Sequence, residues 1–158
     1  MSRKPKAFML HGFIASGKTT LAKQLERQHD ALRFTHDAWM RSLYGEDPPA
    51  EQFPDYAARV HGVMEAMWTR CLVIGVDVVL DFGFWSRAER QRTRALIVAH
   101  GGAPLLYEVS CPEPVAQQRL ARRNNDLADG LHIAPATFAA LKARFEPLHP
   151  DEDRIGSF

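Results

Sequence analysis

The stretch "HGFIASGKTT", residues 11–20, decides the fold class of this chain. Gly12 and Gly17 are followed at once by Lys18 and Thr19, so the stretch carries the pattern GxxxxGKT. This spacing is typical of a loop that binds phosphate groups through its backbone. The alternative is a glycine-rich turn between a strand and a helix that binds no ligand.

The segments on either side of the loop favour the phosphate-binding interpretation. The preceding segment "KAFML" is a short apolar run, which predicts a buried strand. The following segment "TTLAKQLERQ" places Leu21, Ala22 and Leu25 at helical spacing. The chain therefore has the order of strand, glycine loop and helix that phosphate binding requires.

The residue types of the loop explain what it would hold. Glycine lets backbone N–H groups turn toward a phosphate, and the N-terminus of the following helix adds a positive dipole. Lys18 would reach the β- and γ-phosphates of ATP, and the Thr19 hydroxyl would bind Mg2+. The predicted nucleotide-binding residues are Gly12, Phe13, Ile14, Ala15, Ser16, Gly17, Lys18, Thr19 and Thr20.

Composition limits the classes of function. The 158 residues suit a single domain, residues 1–158, and 20 basic against 19 acidic residues give a net charge of +1. A near-neutral chain argues against nucleic acid as a partner. The two cysteines fit neither a metal site nor a disulfide framework, and no apolar run is long enough to span a membrane. We therefore expect a reducing, cytoplasmic setting and no membrane contact.

Strand-like and helix-like segments alternate along the chain. Apolar runs predict strands at residues 7–10, 31–35, 76–80 and 105–109, with further helices at 113–123 and 135–145. This alternation predicts an α/β fold of three layers, in which helices cover both faces of a mainly parallel sheet.

Two helices have distinctive sequence patterns. In the helix that begins near Pro54, apolar residues recur at three- and four-residue spacing, which predicts a core-facing stripe. Ser86 followed by Glu89 is a capping-box pattern, so a helix should begin after Ser86. The stripe consists of Val60, Val63, Met64, Met67, Trp68 and Leu72.

Charged residues follow the ends of three predicted strands. Ligands of such sheets collect at the carboxyl ends of the strands, so these positions are candidate site residues. Asp37 follows the second strand, and Asp81 ends the apolar run "VVLD", a pattern typical of a carboxylate that faces Mg2+. The helix after the fourth strand carries Arg119, Arg122 and Arg123.

These residues, in this order, resemble the small P-loop kinases that phosphorylate hydroxyl groups. That group includes chloramphenicol phosphotransferase, zeta toxins, gluconate kinase and the kinase domain of polynucleotide kinases. The resemblance is closest to bacterial kinase-like proteins of the AAA-like ATP-binding group. It implies a P-loop NTPase fold with a small helical lid at about residues 113–134, together with ATP and Mg2+ as nucleotide and metal.

The resemblance also implies roles for the charged residues. Asp37 would accept the proton of the acceptor hydroxyl, and Asp81, with Thr19, would serve the metal. Arg119, Arg122 and Arg123 would be lid arginines that close on the triphosphate. Two alternatives stay open: Asp37 could only cap the following helix, and the arginines could form an ordinary solvated helix face.

One departure from the resemblance concerns the last strand. Kinases of this group have a fifth core strand after the lid, and this chain offers only "RIGSF" at residues 154–158. The strand is therefore very short, supplied by a partner, or absent. The state of this fifth strand affects how the adenine ring of ATP would be held.

The sequence thus predicts an ATP-dependent phosphotransferase that acts on a hydroxyl of a small molecule, such as a metabolite or an antibiotic. Alternatives are a module that binds or hydrolyses ATP without a dedicated acceptor, and a polynucleotide 5'-hydroxyl kinase. We expect the acceptor pocket between "DAWMRSLYG" and "DFGFWSR", unless their rings only pack the helices. The candidate pocket residues are Trp39, Arg41, Phe84, Trp85 and Arg87. His11 and His36 flank the site and are interpreted as hydrogen-bonding neighbours.

Overall fold

The helices and strands alternate as the sequence predicts, in a computed structural model that describes residues 3–126 and 133–158. None of the helices in this part of the chain is long and apolar enough to cross a membrane. In chain order the elements are β1 (Lys6–His11), α1 (Lys18–His29), β2 (Leu32–Thr35), α2 (His36–Tyr44), α3 (Phe53–Val73), β3 (Val78–Gly83), α4 (Arg87–Ala99), β4 (Ala103–Glu108), α5 (Glu113–Asp126), α6 (Pro135–Lys142) and β5 (Gly156–Ser157).

The strands of the described residues form one parallel sheet in the order β2-β3-β1-β4-β5. β1 lies at its centre, between β3 and β4. The chain leaves β1 for one side of the sheet and later crosses to the other, so the carboxyl end of β1 is a switch point. Parallel α/β sheets bind their ligands at such a point.

Both faces of the sheet are covered, which explains why the strands read as continuous apolar runs. Ala7 and Met9 of β1 pack into one core, which includes residues of α2, α3 and α4. Phe8 and Leu10 point to the other face and pack against α1. The predicted three-layer α/β fold with a parallel sheet is confirmed.

The long helix α3 packs by a narrower stripe than the sequence predicts. Val60, Met64 and Trp68 are buried, together with Leu72. Val63 and Met67, however, are 55% and 47% exposed, so their assignment to the core stripe is wrong. These four buried residues are spaced four apart, and Thr69 and Cys71 near the end of α3 are buried beside them.

The strand boundaries differ from the predicted ones mainly in β3. This strand runs to Gly83 and therefore contains Asp81, which pairs in register with Thr35 of β2. The apolar run predicts a strand that ends at Leu80, and a buried carboxylate beyond it costs free energy unless a cation or hydrogen bonds meet it. Hydroxyl donors from neighbouring residues remove that cost, as described below.

A fifth strand exists, and it is very short. Gly156 and Ser157 pair with Tyr107 and Glu108 at the edge of the sheet. Phe158 continues the pairing, because its N–H donates to Glu108 O at 2.8 Å and its carbonyl accepts from Ser110 N at 2.8 Å. Of the three alternatives for residues 154–158, the very short strand is therefore the correct one.

A buried arginine fixes the segment between α6 and β5. Arg90 of α4 is fully buried, and its guanidinium binds both carboxylate oxygens of Glu152 at 2.7 and 2.9 Å. It also donates to three carbonyls, of Phe84 at 2.8 Å, Glu146 at 3.2 Å and Pro147 at 3.3 Å. All five N–H groups of Arg90 are thus used, which allows this charge to be buried.

We expect Glu152→Gln to lower the free energy of unfolding at neutral pH by about 1–3 kcal/mol, because it leaves a buried guanidinium without its counter-charge. The hydrogen bonds from Arg90 lower the pKa of Glu152 from 4.5 to about 2. A lowered pKa in the folded state stabilises the fold above pH 4.5, and this contribution is lost as pH falls toward 2.

Denaturant unfolding across this pH range measures the effect. The difference between wild type and Glu152→Gln should shrink as pH falls. Asp151→Asn, in an exposed pair with Arg87, is the matched control and should change little. A Glu152→Gln penalty that stays constant with pH would contradict the role of the ion pair.

Candidate active site

The phosphate-binding loop lies between β1 and α1, at the carboxyl edge of the sheet. Ala15 and Gly17 have positive φ angles of 59° and 107°, which turn the loop back on itself. Gly17 is the N-cap of α1, and no side chain caps the helix. The first N–H groups of α1 are therefore available to an anion, which the helix dipole also favours.

Gly12 occupies a position where only glycine fits. A Cβ atom there would lie 2.5 Å from Val109 O and 2.7 Å from Ser16 Oγ. Its N–H also donates to Gly83 O at 3.0 Å, which ties the start of the loop to β3. The close approach of β1, β3 and the segment after β4 therefore sets the position of the loop.

Gly12→Ala should weaken MgATP binding by about tenfold or more, since overpacking of this kind costs about 1–3 kcal/mol and is relieved only by moving the loop. Titration calorimetry measures the effect. The matched control is Gly62→Ala in α3, where a Cβ would meet no atom within 4 Å. Nucleotide affinity of Gly12→Ala equal to that of Gly62→Ala would show that the loop tolerates the displacement.

The side chain of Lys18, the first residue of α1, reaches back across the phosphate-binding loop. Its Nζ donates to Phe13 O at 2.8 Å. Burial lowers the pKa of Lys18, while the charges of Asp81 and Asp37 oppose that shift. One ammonium group thus interacts with both carboxylates of the predicted site.

Asp81 is buried and is held by hydroxyl groups from two elements. Its Oδ2 accepts from Thr19 Oγ1 at 2.9 Å and from Thr35 Oγ1 at 3.2 Å. Burial raises the pKa of Asp81, against the opposing effects of Lys18 and Thr19. The predicted metal residues Thr19 and Asp81 therefore lie side by side.

These two residues fit a Mg2+ ion that takes most of its ligands from phosphate and water. The described residues contain no group of three or more His, Cys, Asp or Glu side chains that could hold a metal. Mg2+ at nucleotide sites is usually held by one or two protein oxygens together with phosphate oxygens. The oxygens of Thr19 and Asp81 match that donor set.

Asp37 lies inside the first turn of α2 rather than at its cap. The N-cap is Thr35, and its side chain makes no capping hydrogen bond to the helix. The Asp37 side chain is 51% exposed, with Oδ1 3.9 Å from His36 Nδ1. Burial of its inner part raises the pKa of Asp37, but His36, Lys18 and Arg123 together lower it. Asp37 is thus an ionised carboxylate beside the loop.

The arginines of α5 are not equivalent. Arg119 and Arg123 lie one turn apart on the face toward the loop, and Arg119 Nη1 is 3.5 Å from Ala15 O. Arg123 has Nε and Nη2 buried with no hydrogen-bond partner in the described part of the chain. Arg122 is exposed on another face of the helix. The structure brings two of the three predicted arginines to the site.

A cleft of about 640 Å³ brings these side chains together. The loop and the start of α1 form its floor, and α5 and the ends of β2 and β3 form its walls. Its lining comprises residues 14–21, Lys23, Gln24, Thr35, His36, Asp37, Asp81, Phe82, Gly83, Trp85, residues 109–111, Arg119, Arg123 and Phe158. Such a volume is typical of small-molecule sites.

The family of the chain follows from its sequence together with this geometry. Residues 8–148 match the AAA_33 family, described as an AAA domain. The chain belongs to this family. No protein of curated function matches the sequence of this AAA domain.

Solved structures give this AAA domain a kinase-like P-loop fold. A candidate kinase from Chloroflexus aurantiacus J-10-fl is similar with a TM-score of 0.79 and 20% identity, over 98% of this chain and 88% of that one. A chain of the Pnkp1/Rnl/Hen1 RNA repair complex is similar at 0.74 and 20% identity, over 91% and 45%. A gluconokinase from Sinorhizobium meliloti 1021 is similar at 0.64 and 16% identity, over 98% and 82%. These identities show the fold alone.

Most of the predicted loop residues of the AAA domain line the cleft, with two exceptions. Gly12 lies beneath the loop, and Phe13 points away toward α6. The ring of Phe13 lies 5.0 Å from that of Phe138 and 5.1 Å from that of Trp85. Phe13 therefore attaches the loop to the lid helices rather than contacting the cleft.

The predicted lid is described in part. Within α5 and α6, Ala116, Leu120 and Phe138 pack against Ile14 of the loop. Residues 127–132 of the predicted lid lie outside the described residues. The lid boundaries of 113–134 and the single-domain assignment stay predictions.

Most of the predicted acceptor-pocket residues lie outside the lining of the cleft. Of the five candidates, Trp85 lines the cleft, and its Nε1 donates to Gly12 O at 3.2 Å. Phe84 is fully buried, since its positive φ of 50° turns the ring into the core. Trp39 packs beside Phe34, Arg41 pairs with Glu46, and Arg87 pairs with Asp151.

The sequence argument also missed residues near Asp37. His36 Nε2 lies 3.2 Å from Ala57 O, so a contact with α3 orients the ring that faces Asp37. The ring of His61 lies 6.2 Å from that of His36 and 5.3 Å from that of Phe82. The adjacency of His36 to Asp37 was visible in the sequence, but the contribution of His61 from α3 had no local signal.

Proposed function

We propose that this AAA domain transfers the γ-phosphoryl group of ATP to a hydroxyl group of a small molecule. The supporting observation is that two carboxylates with different environments interact electrostatically with one lysine of the same cleft. Asp81 is buried and bound by two hydroxyl groups, whereas Asp37 is half-exposed and ionised. A module that only bound ATP would have no need for the second carboxylate.

In this proposal each residue has a separate task. The N–H groups of the loop and Lys18 hold the β- and γ-phosphates. The oxygen of the acceptor hydroxyl bonds to the γ-phosphorus, and Asp37 accepts the proton that this hydroxyl loses. The bond from that phosphorus to the bridging oxygen breaks, and ADP leaves with the electron pair. A positioned base of this kind contributes about 10²- to 10⁴-fold.

The arginines of α5 would support phosphoryl transfer from the wall of the cleft that α5 forms. Arg123 has buried N–H groups without a partner in the described residues, and such groups are costly unless an anion binds them. Arg119 is 3.5 Å from Ala15 O, at the edge of the loop. Both are placed to stabilise the charge that develops on the transferred group. Arg122, which is exposed, has no role in this proposal.

Mg2+ is proposed to bind at Thr19 and Asp81. Thr19 and Asp81 would hold the ion, which would supply positive charge to neutralise the phosphates. Asp81 holds the Thr19 hydroxyl at 2.9 Å, which fixes its oxygen beside the first turn of α1. The raised pKa of Asp81 indicates a carboxylate that gains from a nearby cation.

A set of hydroxyl compounds tests this proposal by their stimulation of ATP turnover, with transfer of the γ-phosphoryl group measured directly. A small molecule should become phosphorylated, with Mg2+ required. An RNA oligonucleotide with a 5'-hydroxyl end belongs in the set, because a structure from an RNA repair complex shares the fold. Phosphorylation of RNA alone, or ATP hydrolysis with no phosphorylated product from any compound, would contradict the proposal.

A further inference from the structure

The two walls of the cleft differ in charge. The basic residues of its lining are Lys18 and Lys23 of α1 and Arg119 and Arg123 of α5. The opposite wall consists of Thr35, His36, Asp37, Asp81, Phe82, Gly83 and Trp85, and we call it the acceptor wall. It contains no lysine or arginine. Because it carries Asp37, the hydroxyl compound of the proposed function would bind against it.

Of the arginines on α2, α3 and α4, all but Arg70 are bound by acidic residues or a carbonyl. The chain has no lysine between residues 24 and 141, so these helices carry arginine as their only permanent cation. Arg70 lies in the last turn of α3, at the opposite edge of the sheet. The pairs are Arg41–Glu46 at 3.0 Å, Arg59–Asp55 at 3.0 Å, Arg87–Asp151 at 2.6 Å, Arg90–Glu152 at 2.7 Å and Arg92–Glu65 at 2.7 Å, and Arg94 donates to Asp153 O.

Besides Asp81 at the proposed metal site, Asp37 lies on the acceptor wall and Glu89 lies on α4 behind it. Glu89 lies in the first turn of α4, is partly buried, and makes no side-chain hydrogen bond or ion pair within the described residues. Burial raises the pKa of Glu89, and the charges of Arg90 and His36 oppose that shift. Burial lowers the pKa of His36, but contact with Asp37 and Ala57 raises it overall, so the His36 charge is already matched by Asp37. Burial lowers the pKa of His61, which favours its neutral form.

We propose that the acceptor wall selects hydroxyl compounds without an anionic group near the reacting hydroxyl, namely uncharged or amine-bearing polyols. An anionic acceptor would meet Asp37, with Glu89 on α4 behind it, and no lysine or arginine on the acceptor wall. Like charges brought together select against a ligand. The Trp85 ring offers an apolar face to the C–H groups of a polyol or to an ammonium group. The cations of the opposite wall are taken up by the triphosphate. This inference rests on the proposed function.

Compounds of one scaffold that differ only in charge test the selection. Phosphoryl transfer from ATP is measured for D-glucosamine, D-glucose and D-gluconate, and for ethanolamine, ethylene glycol and glycolate. In any series that accepts phosphate, kcat/KM of the anion should be at least about tenfold below that of the other two, from two opposing charges at partly solvated distances. An anion used as well as its neutral counterpart would overturn the inference.

A variant of Glu89 separates charge from shape. Glu89→Gln keeps the capping pattern with Ser86 and should reduce the discrimination against the anion by about threefold or more, with MgATP affinity unchanged. Asp30→Asn, an exposed position at the C-terminus of α1, removes the same charge and should leave the discrimination unchanged. Equal effects of both variants would show that net charge, not the acceptor wall, sets the preference.

If none of the six compounds accepts phosphate, a small-molecule extract of cells is incubated with γ-labelled ATP and the protein. The labelled products are separated, dephosphorylated and run by electrophoresis to determine the charge of the released acceptor. A neutral or cationic acceptor supports the inference, and an anionic one overturns it while leaving the proposed function intact. An extract with no labelled product, with MgATP binding intact by calorimetry, would refute the proposed function and this inference with it.

Discussion

Lys18→Ala is expected to lower kcat/KM for MgATP by about 10²- to 10³-fold or more, the usual cost of removing a preorganised donor to a developing anion. Lys18 is the only cation of the loop pattern, and its charge interacts with those of Asp81 and Asp37. No neighbouring lysine can substitute, since the remaining lysine of the cleft, Lys23, is more than one helical turn further along α1.

The loss should leave the fold intact. Burial lowers the pKa of Lys18, so the folded state gains little from this charge. The hydrogen bond from Nζ to Phe13 O connects residues of the same loop and joins no distant elements. Thermal unfolding without nucleotide should therefore change little, while stabilisation by added MgATP should be largely lost.

Two further variants test whether the loss of activity comes from the ammonium group of Lys18. Lys18→Arg keeps the charge, but its larger planar group does not replace a compact ammonium, so activity should remain low. Lys4→Ala, at an exposed position before β1, removes the same charge and should have no effect on activity. MgATP turnover in Lys18→Ala within a few fold of wild type would show that the loop acts through its backbone alone.

The loop and the layers of the fold could be predicted because their signals are local. The glycine spacing of residues 12–19, the apolar run before it and the helical pattern after it are written in adjacent residues. Pairing of β1 with β3 and β4 then follows from the rules for parallel sheets. For the same reason the capping box was predictable: Ser86 Oγ accepts from Glu89 N at 3.1 Å, three residues away.

The acceptor side could not be predicted, because non-local contacts and one backbone angle decide it. The positive φ of Phe84 directs its ring into the core, and such an angle in a non-glycine residue has no clear sequence signal. Arg90 and Glu152 form their buried pair across 62 positions of sequence. His61 approaches His36 only because α3 packs beside α2.

The arginines of α5 show where periodicity stops being informative. Arg119, Arg122 and Arg123 are close enough in sequence to share a helix face, so the pattern grouped them. The direction of that face depends on how α5 packs, through Ala116 and Leu120, against Ile14. That packing turns Arg119 and Arg123 to the cleft and leaves Arg122 in solvent.

The second large effect is expected from substitution of the two carboxylates, Asp81 and Asp37. The two variants should lose different functions. Asp81→Asn should damage Mg2+-dependent nucleotide binding, because Asp81 holds Thr19 beside the proposed metal site. It should not destabilise the protein without nucleotide at neutral pH. Burial raises the pKa of Asp81, so its charged form weakens the fold once the pH exceeds the ordinary range of an aspartate, and asparagine removes that charge.

Asp37→Asn should instead lower phosphoryl transfer by about 10²- to 10⁴-fold while MgATP still binds. Asparagine keeps the size of the side chain and its position in the first turn of α2, but it cannot accept the proton. The half-exposed position of Asp37 means that the substitution leaves no buried group unsatisfied. Single-turnover transfer and calorimetry with and without Mg2+ separate the two steps for both variants.

The comparison also tests whether Asp37 serves only the helix. An acid in the first turn stabilises a helix through its dipole by about 0.3–1 kcal/mol, with no hydrogen bond required. Asp55, in the first turn of α3, is the control, because Asp55→Asn loses the same dipole interaction far from the loop, together with an exposed pair with Arg59. If Asp37→Asn loses stability as Asp55→Asn does and still transfers phosphate at the wild-type rate, Asp37 is a helix-stabilising residue and the base must be sought elsewhere in the cleft. A rate loss unmatched by any loss of stability assigns the proton to Asp37.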